Sequence, residues 1–110
     1  MKVIEKNTGR KIDYELRGYK LSFADDELVI RLDRYQRDED VTLDIMADNQ
    51  GFLVMSKGRF YVAQVEIPKR EYEEIIEGEG EEQTTEYRPI PLNTDDVTLY
   101  LFSIEGILIN

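Results

Sequence analysis

GFLVMSKGRFYVAQVEIP, residues Gly51–Pro68, holds two apolar runs joined at Lys57-Gly58, and its reading decides the fold. With Lys57-Gly58 as a two-residue loop, Ser56 faces Arg59, Met55 faces Phe60, Val54 faces Tyr61, Leu53 faces Val62 and Phe52 faces Ala63. One face then collects Phe52, Val54, Tyr61, Ala63, Val65 and Ile67, and the other Leu53, Met55, Phe60 and Val62. A strand pair that is apolar on both sides belongs inside a sheet, so the stretch predicts a central β-hairpin over 51–67. Pro68 has no N–H to give to a ladder and ends it.

Upstream, the period-2 alternation of half-buried strands recurs. It runs through Ile12, Tyr14 and Leu16, then Tyr19, Leu21 and Phe23 after a break at Gly18, then Leu28, Ile30 and Leu32, then Val41, Leu43 and Ile45. Met1–Lys6 reads as a short edge strand. The charged link Arg34–Asp40 has room for a helical turn but no apolar stripe to hold a helix. Downstream, Val97–Ile104 reads as an interior strand, with a helix capped by Thr94 or Asp95 as the alternative, and Ile107-Leu108-Ile109 is too apolar to leave in water, so it docks on the sheet or on a partner. The whole predicts one all-β domain over 1–110, an antiparallel β-sandwich or flattened barrel of about seven to nine short strands.

The formal charge is -10, from 24 acids against 14 bases. Residues 71–87 hold Glu71, Glu73, Glu74, Glu77, Glu79, Glu81, Glu82 and Glu86 and no Lys or Arg, so the remainder carries 16 acids against 14 bases and is nearly neutral. Tyr72 with Ile75 and Ile76 fits a helical turn, and Tyr72 with Glu74 and Ile76 an extended arm; the favoured reading of this acidic insertion is two extended arms around a mobile tip at 77–85. Its eight glutamates are the candidate partner-binding residues. Clustered carboxylates steer a basic protein surface, and they also keep an exposed hairpin soluble.

The chain contains neither His nor Cys. That removes imidazole-activated serine or cysteine nucleophiles, histidine metal ligands, thiolate zinc sites and disulfides. Asp44 and Glu66 interrupt strands and are the acids to inspect for glycosidic chemistry, which needs a facing carboxyl pair. Three acidic groups, Asp25-Asp26-Glu27, Asp38-Glu39-Asp40 and Asp95-Asp96, are candidates for calcium held by loops, but none follows the spaced pattern of a helix-loop-helix calcium site. Arg31, Arg34, Arg37 and Tyr35 form a basic and aromatic group that Asp33, Asp38, Glu39 and Asp40 neutralise, which argues against nucleic-acid binding. The charged first eleven residues do not resemble a secretory leader, and no apolar run is long enough to cross a bilayer.

The resulting expectation is a soluble, cytoplasmic, non-enzymatic interaction module without cofactor or metal. It acts through its surface on a protein partner, with self-association through the terminal strands (Val3-Ile4 and 107–109). The alternatives are a calcium- or carbohydrate-binding β-sandwich and an acidic inhibitor that imitates nucleic acid. The latter needs carboxylates fixed over one rigid face.

Overall fold

In the computed structural model, which describes residues 1–109, the alternating stretches become ten strands in three sheets. The largest sheet has the order β1 (Lys2–Glu5), β10 (Thr98–Leu101), β7 (Phe60–Ile67), β5 (Val41–Ala47) and β6 (Leu53–Met55). A three-stranded meander holds β2 (Tyr14–Arg17), β3 (Lys20–Phe23) and β4 (Leu28–Arg31). The third sheet is a lone pair, β8 (Tyr72–Glu77) and β9 (Thr84–Pro89). One helical turn, α1 (Leu32–Tyr35), follows β4: it takes Leu32, which the alternation places in the strand, and only the first two residues of the charged link. The fold is all-β, as expected. Strand pairing is antiparallel except for β1 and β10, which run parallel, with Lys2 beside Thr98 and Glu5 beside Leu101.

The meander follows the sequence alternation closely. Leu21 and Phe23 are buried while Lys20 and Ser22 point out, and Ile30 continues the inner row on β4. Gly18 turns the β2–β3 hairpin in the left-handed region, φ 57°. Residues of the meander share one apolar cluster with Ile45, Val62, Ala63, Val65, Ile67, Leu99 and Leu101 of the large sheet. Burying each such aliphatic side chain contributes about 1.5–3 kcal/mol. Ile107 and Ile109 pack against this cluster within the same chain, and Leu108 between them stays exposed.

The predicted central hairpin is where the structure departs from the sequence reading. β6 and β7 do not pair with each other: both pair with β5, one on each side, Ala47 facing Leu53 of β6 and Phe60 of β7. The link over Ser56–Arg59 crosses β5, with Ser56 and Lys57 both left-handed (φ 57° and 54°). Ser56 N–H donates to Asp44 O (2.9 Å) and Arg59 N–H to Ala47 O (2.8 Å). Gly58 lies so close to the strand that a Cβ there would stand 2.5 Å from Met46 Cβ, so glycine is what lets the link pass. The link covers Met46, which is buried yet outside the main cluster.

The two-sided apolar pattern on β7 has its own cause. The register shifts between Ile45 and Met46, so Ile45 faces Ala63, Met46 faces Tyr61, and Val62 has no opposite residue on β5. A bulge turns consecutive residues to the same side. Val62 and Ala63 are accordingly both fully buried.

Candidate functional site

Pro68 ends β7, and the chain then leaves the body. β8 and β9 pair along their full length, Tyr72 opposite Pro89 through Glu77 opposite Thr84, and neither joins another sheet. The molecule measures 67 × 23 × 21 Å with a radius of gyration of 18.3 Å. A compact chain of this length would have about 13 Å. The acidic insertion is therefore a projecting two-stranded arm, with the extended limbs that its composition suggested. At its tip, Gly80–Glu82 makes a turn of 3-10 helix, and Gly78 (φ 96°) lies where a Cβ would meet Glu82 O at 2.5 Å.

The register sorts the arm into two faces. Tyr72, Glu74 and Ile76 of β8 lie with Thr85, Tyr87 and Pro89 of β9. Glu73, Ile75 and Glu77 lie with Thr84, Glu86 and Arg88 on the reverse. The ladder continues one step inward through Ile90 N–H donating to Glu71 O (2.8 Å). The eight candidate glutamates are thus not gathered on one surface. Glu71, Glu73, Glu77 and Glu86 share the charged face, Glu74 sits on the other, and Glu79, Glu81 and Glu82 belong to the tip. Arg88 interrupts the charged face, 3.7 Å from Glu77 and 3.4 Å from Glu86. The opposite face is mainly apolar, and Tyr72, Ile76 and Tyr87 on it are exposed.

The arm's root is fastened by the charged link that follows α1. Gln36, buried, donates from Nε2 to Pro68 O (3.2 Å). Arg70 N–H donates to Arg37 O (2.8 Å), and Lys69 N–H to Asp40 Oδ1 (2.9 Å). Asp38 Oδ1 accepts from the Tyr72 hydroxyl (2.6 Å) and from Arg70 Nη1 (3.4 Å). Sequence reasoning treated Asp38-Glu39-Asp40 as a cation group and missed this clasp. The only local hint was a lone Gln among charges.

The other sequence candidates fall into structural roles. Asp44 accepts from Gln64 Nε2 (2.9 Å), and Glu66 accepts from the Tyr100 hydroxyl (2.9 Å), both across neighbouring strands. The Glu66 carboxylate raises the Tyr100 phenol above its ordinary value, through the hydrogen bond first and burial second. Arg31 holds Asp33 in a two-pronged contact (3.2 and 3.1 Å) that keeps the Asp33 carboxyl below its ordinary 3.8. Among the described residues, no three acids converge as a metal site. An open hollow of about 500 Å³ beside β2 and β3 is edged by Asp13, Glu15, Arg17, Lys20, Asp25 and Asp26, with Arg17 already held by Glu15 at 2.7 Å.

No helix among the described residues is long and apolar enough to cross a membrane. No family model matches the chain, and no curated protein or solved structure matches it.

Proposed function

We propose that this chain is a cytoplasmic, non-enzymatic interaction module that grips a protein partner with the β8–β9 arm. The observation that carries this reading is the exposed row Tyr72, Ile76 and Tyr87 on one face of a ribbon that joins no other sheet among the described residues and is tied to the body at its root, where the Tyr72 hydroxyl meets Asp38. A two-stranded ribbon is marginal in water by itself and gains stability when its apolar face is covered. Aromatic anchors flanked by charge are the usual make-up of a binding surface. The glutamates on the reverse keep the free arm soluble and favour a partner with basic residues beside its groove.

A photo-crosslinking phenylalanine analogue placed at Tyr87 tests this in cells, with the same analogue at Val29 as the control on the body. Protein adducts from position 87 and few from 29 are the expected outcome. Adducts from 29 alone would show that the working surface lies on the meander and not on the arm.

A further inference from the structure

Six strands end a sheet among the described residues, and for β1 and β8 the hydrogen bonds at their ends fix which backbone groups turn outward. Among the described residues, β1 is bordered only by β10. Lys2 N–H donates to Val97 O (2.9 Å) and Lys6 N–H to Leu101 O (2.8 Å), so the even-numbered residues of β1 turn their backbone groups inward. Those of Val3 and Glu5 turn outward, where no strand lies among the described residues. In the arm, the bond from Ile90 N–H to Glu71 O sets the phase: Glu71, Glu73, Ile75 and Glu77 turn toward β9. Tyr72, Glu74 and Ile76 turn outward. On the far edge of the ribbon the outward residues include Pro89, which has no N–H, so β8 is the edge better able to receive a strand.

The side chains of these two edges match. Laid antiparallel with Ile76 opposite Val3, β8 and β1 bring outward-turned residues together at Val3 with Ile76 and at Glu5 with Glu74, as a hydrogen-bonded ladder requires. The same register places Ile75 opposite Ile4, Glu77 opposite Lys2 and Glu73 opposite Lys6. Sliding by two residues in either direction, the smallest step that keeps the ladder, puts Glu73 or Glu77 opposite Ile4. The single like-charge pair is Glu5 with Glu74, and Glu5 has Lys11 Nζ 3.8 Å away. Residues 1–11 carry Lys2, Lys6, Arg10 and Lys11 against Glu5 alone, which complements the acidic arm. All four residues of β1 are exposed, Val3 and Ile4 included.

We propose that the open edge of β8 adds to β1 of a second copy of this chain, antiparallel, with Ile76 opposite Val3. This rests on the reading of the arm as the binding element and names its partner. Strand addition takes its affinity from main-chain hydrogen bonds and its register from the flanking side chains. Arm and β1 are different surfaces, so the contact is either exchanged reciprocally in a dimer or repeated head to tail.

Light scattering on the full chain, over a concentration series at low and high salt, tests it. The mass should rise above 12.9 kDa with concentration and fall back as salt is added. K2E/K6E and E73K/E77K should each weaken association by about tenfold or more, and the chain carrying all four changes should regain it. Circular dichroism shows that each variant is folded. A wild type that stays at 12.9 kDa throughout, doubles that assemble like wild type, or a folded quadruple variant that stays apart would each overturn self-addition. Adducts from position 87 to a different protein, with a monomeric wild type, would remove self-addition and leave the arm as the binding element. No adducts and no assembly would remove both.

Discussion

Val62, Val65 and Ile67 of β7 are fully buried, while Tyr72, Ile76 and Tyr87, further along the same chain, stand 45%, 54% and 66% exposed. Both segments are extended, and both carry apolar side chains at strand spacing. The difference lies in their neighbours: β7 has β5 on one side and β10 on the other, and the meander shares the cluster its side chains enter. β8 has only β9. An apolar alternation therefore records that a face wants cover, and the topology decides whether the same chain supplies it.

The comparison breaks most sharply at Val65. Val65→Asp puts a carboxylate into the shared cluster and should cost about 4 kcal/mol or more, abolishing cooperative thermal unfolding. Tyr87→Asp, the matching change on the arm, should leave the stability of the body within about 0.5 kcal/mol of wild type. A wild-type melt for Val65→Asp, or a collapse for Tyr87→Asp, would reverse the assignment of core and surface. Gly58→Ala comes next: its methyl group must displace Met46 or the link, at about 1–3 kcal/mol in a urea titration. Gln36→Ala removes the donor to Pro68 O and should cost about 1 kcal/mol. Its loss should also quicken amide exchange at Arg70, whose N–H bonds to Arg37 O in the same clasp.

The smallest effect concerns acid. Asp33 is held below its ordinary 3.8 in the folded chain by its hydrogen bonds from Arg31. The folded state therefore favours the ionised form, and that contribution is present above the unfolded value and lost as pH falls through the folded one. Asp33→Asn should lower stability slightly at neutrality and leave it nearly unchanged well below about pH 4, where Asp33 is itself protonated, read as melting temperature against pH. The contact is half-buried and still reached by water, so a large shift at pH 7 would contradict its placement.

Most strands were legible because half-buried strands write their phase into the sequence: Leu21 and Phe23 against Lys20 and Ser22 is such a case. Pro68 as a stop and the extended limbs of the arm were legible for similarly local reasons. The pairing of β6 and β7 was not. Lys57-Gly58 looks like a hairpin turn, yet a turn signal says only that the chain bends, and β5 took both edges. The bulge that buries Val62 beside Ala63 produced the two-sided apolar pattern that a central hairpin would also produce. On the arm, the row of Tyr72, Ile76 and Tyr87 exists only once Glu74 is set opposite Tyr87, a register that no local spacing contains. The clasp at Gln36 and Asp38 joins residues more than 30 positions apart, Asp38 and Tyr72 being separated by 34. Nothing short-range encodes it.

Pro89 sits at one end of β9 and denies that side of the ribbon a donor. A ribbon with a full row of outward donors on one margin and a gap in the other is one-sided in its use: an added strand finds the complete ladder on β8. Where the proposed addition of β1 repeats from copy to copy, one proline would decide which margin every joint uses.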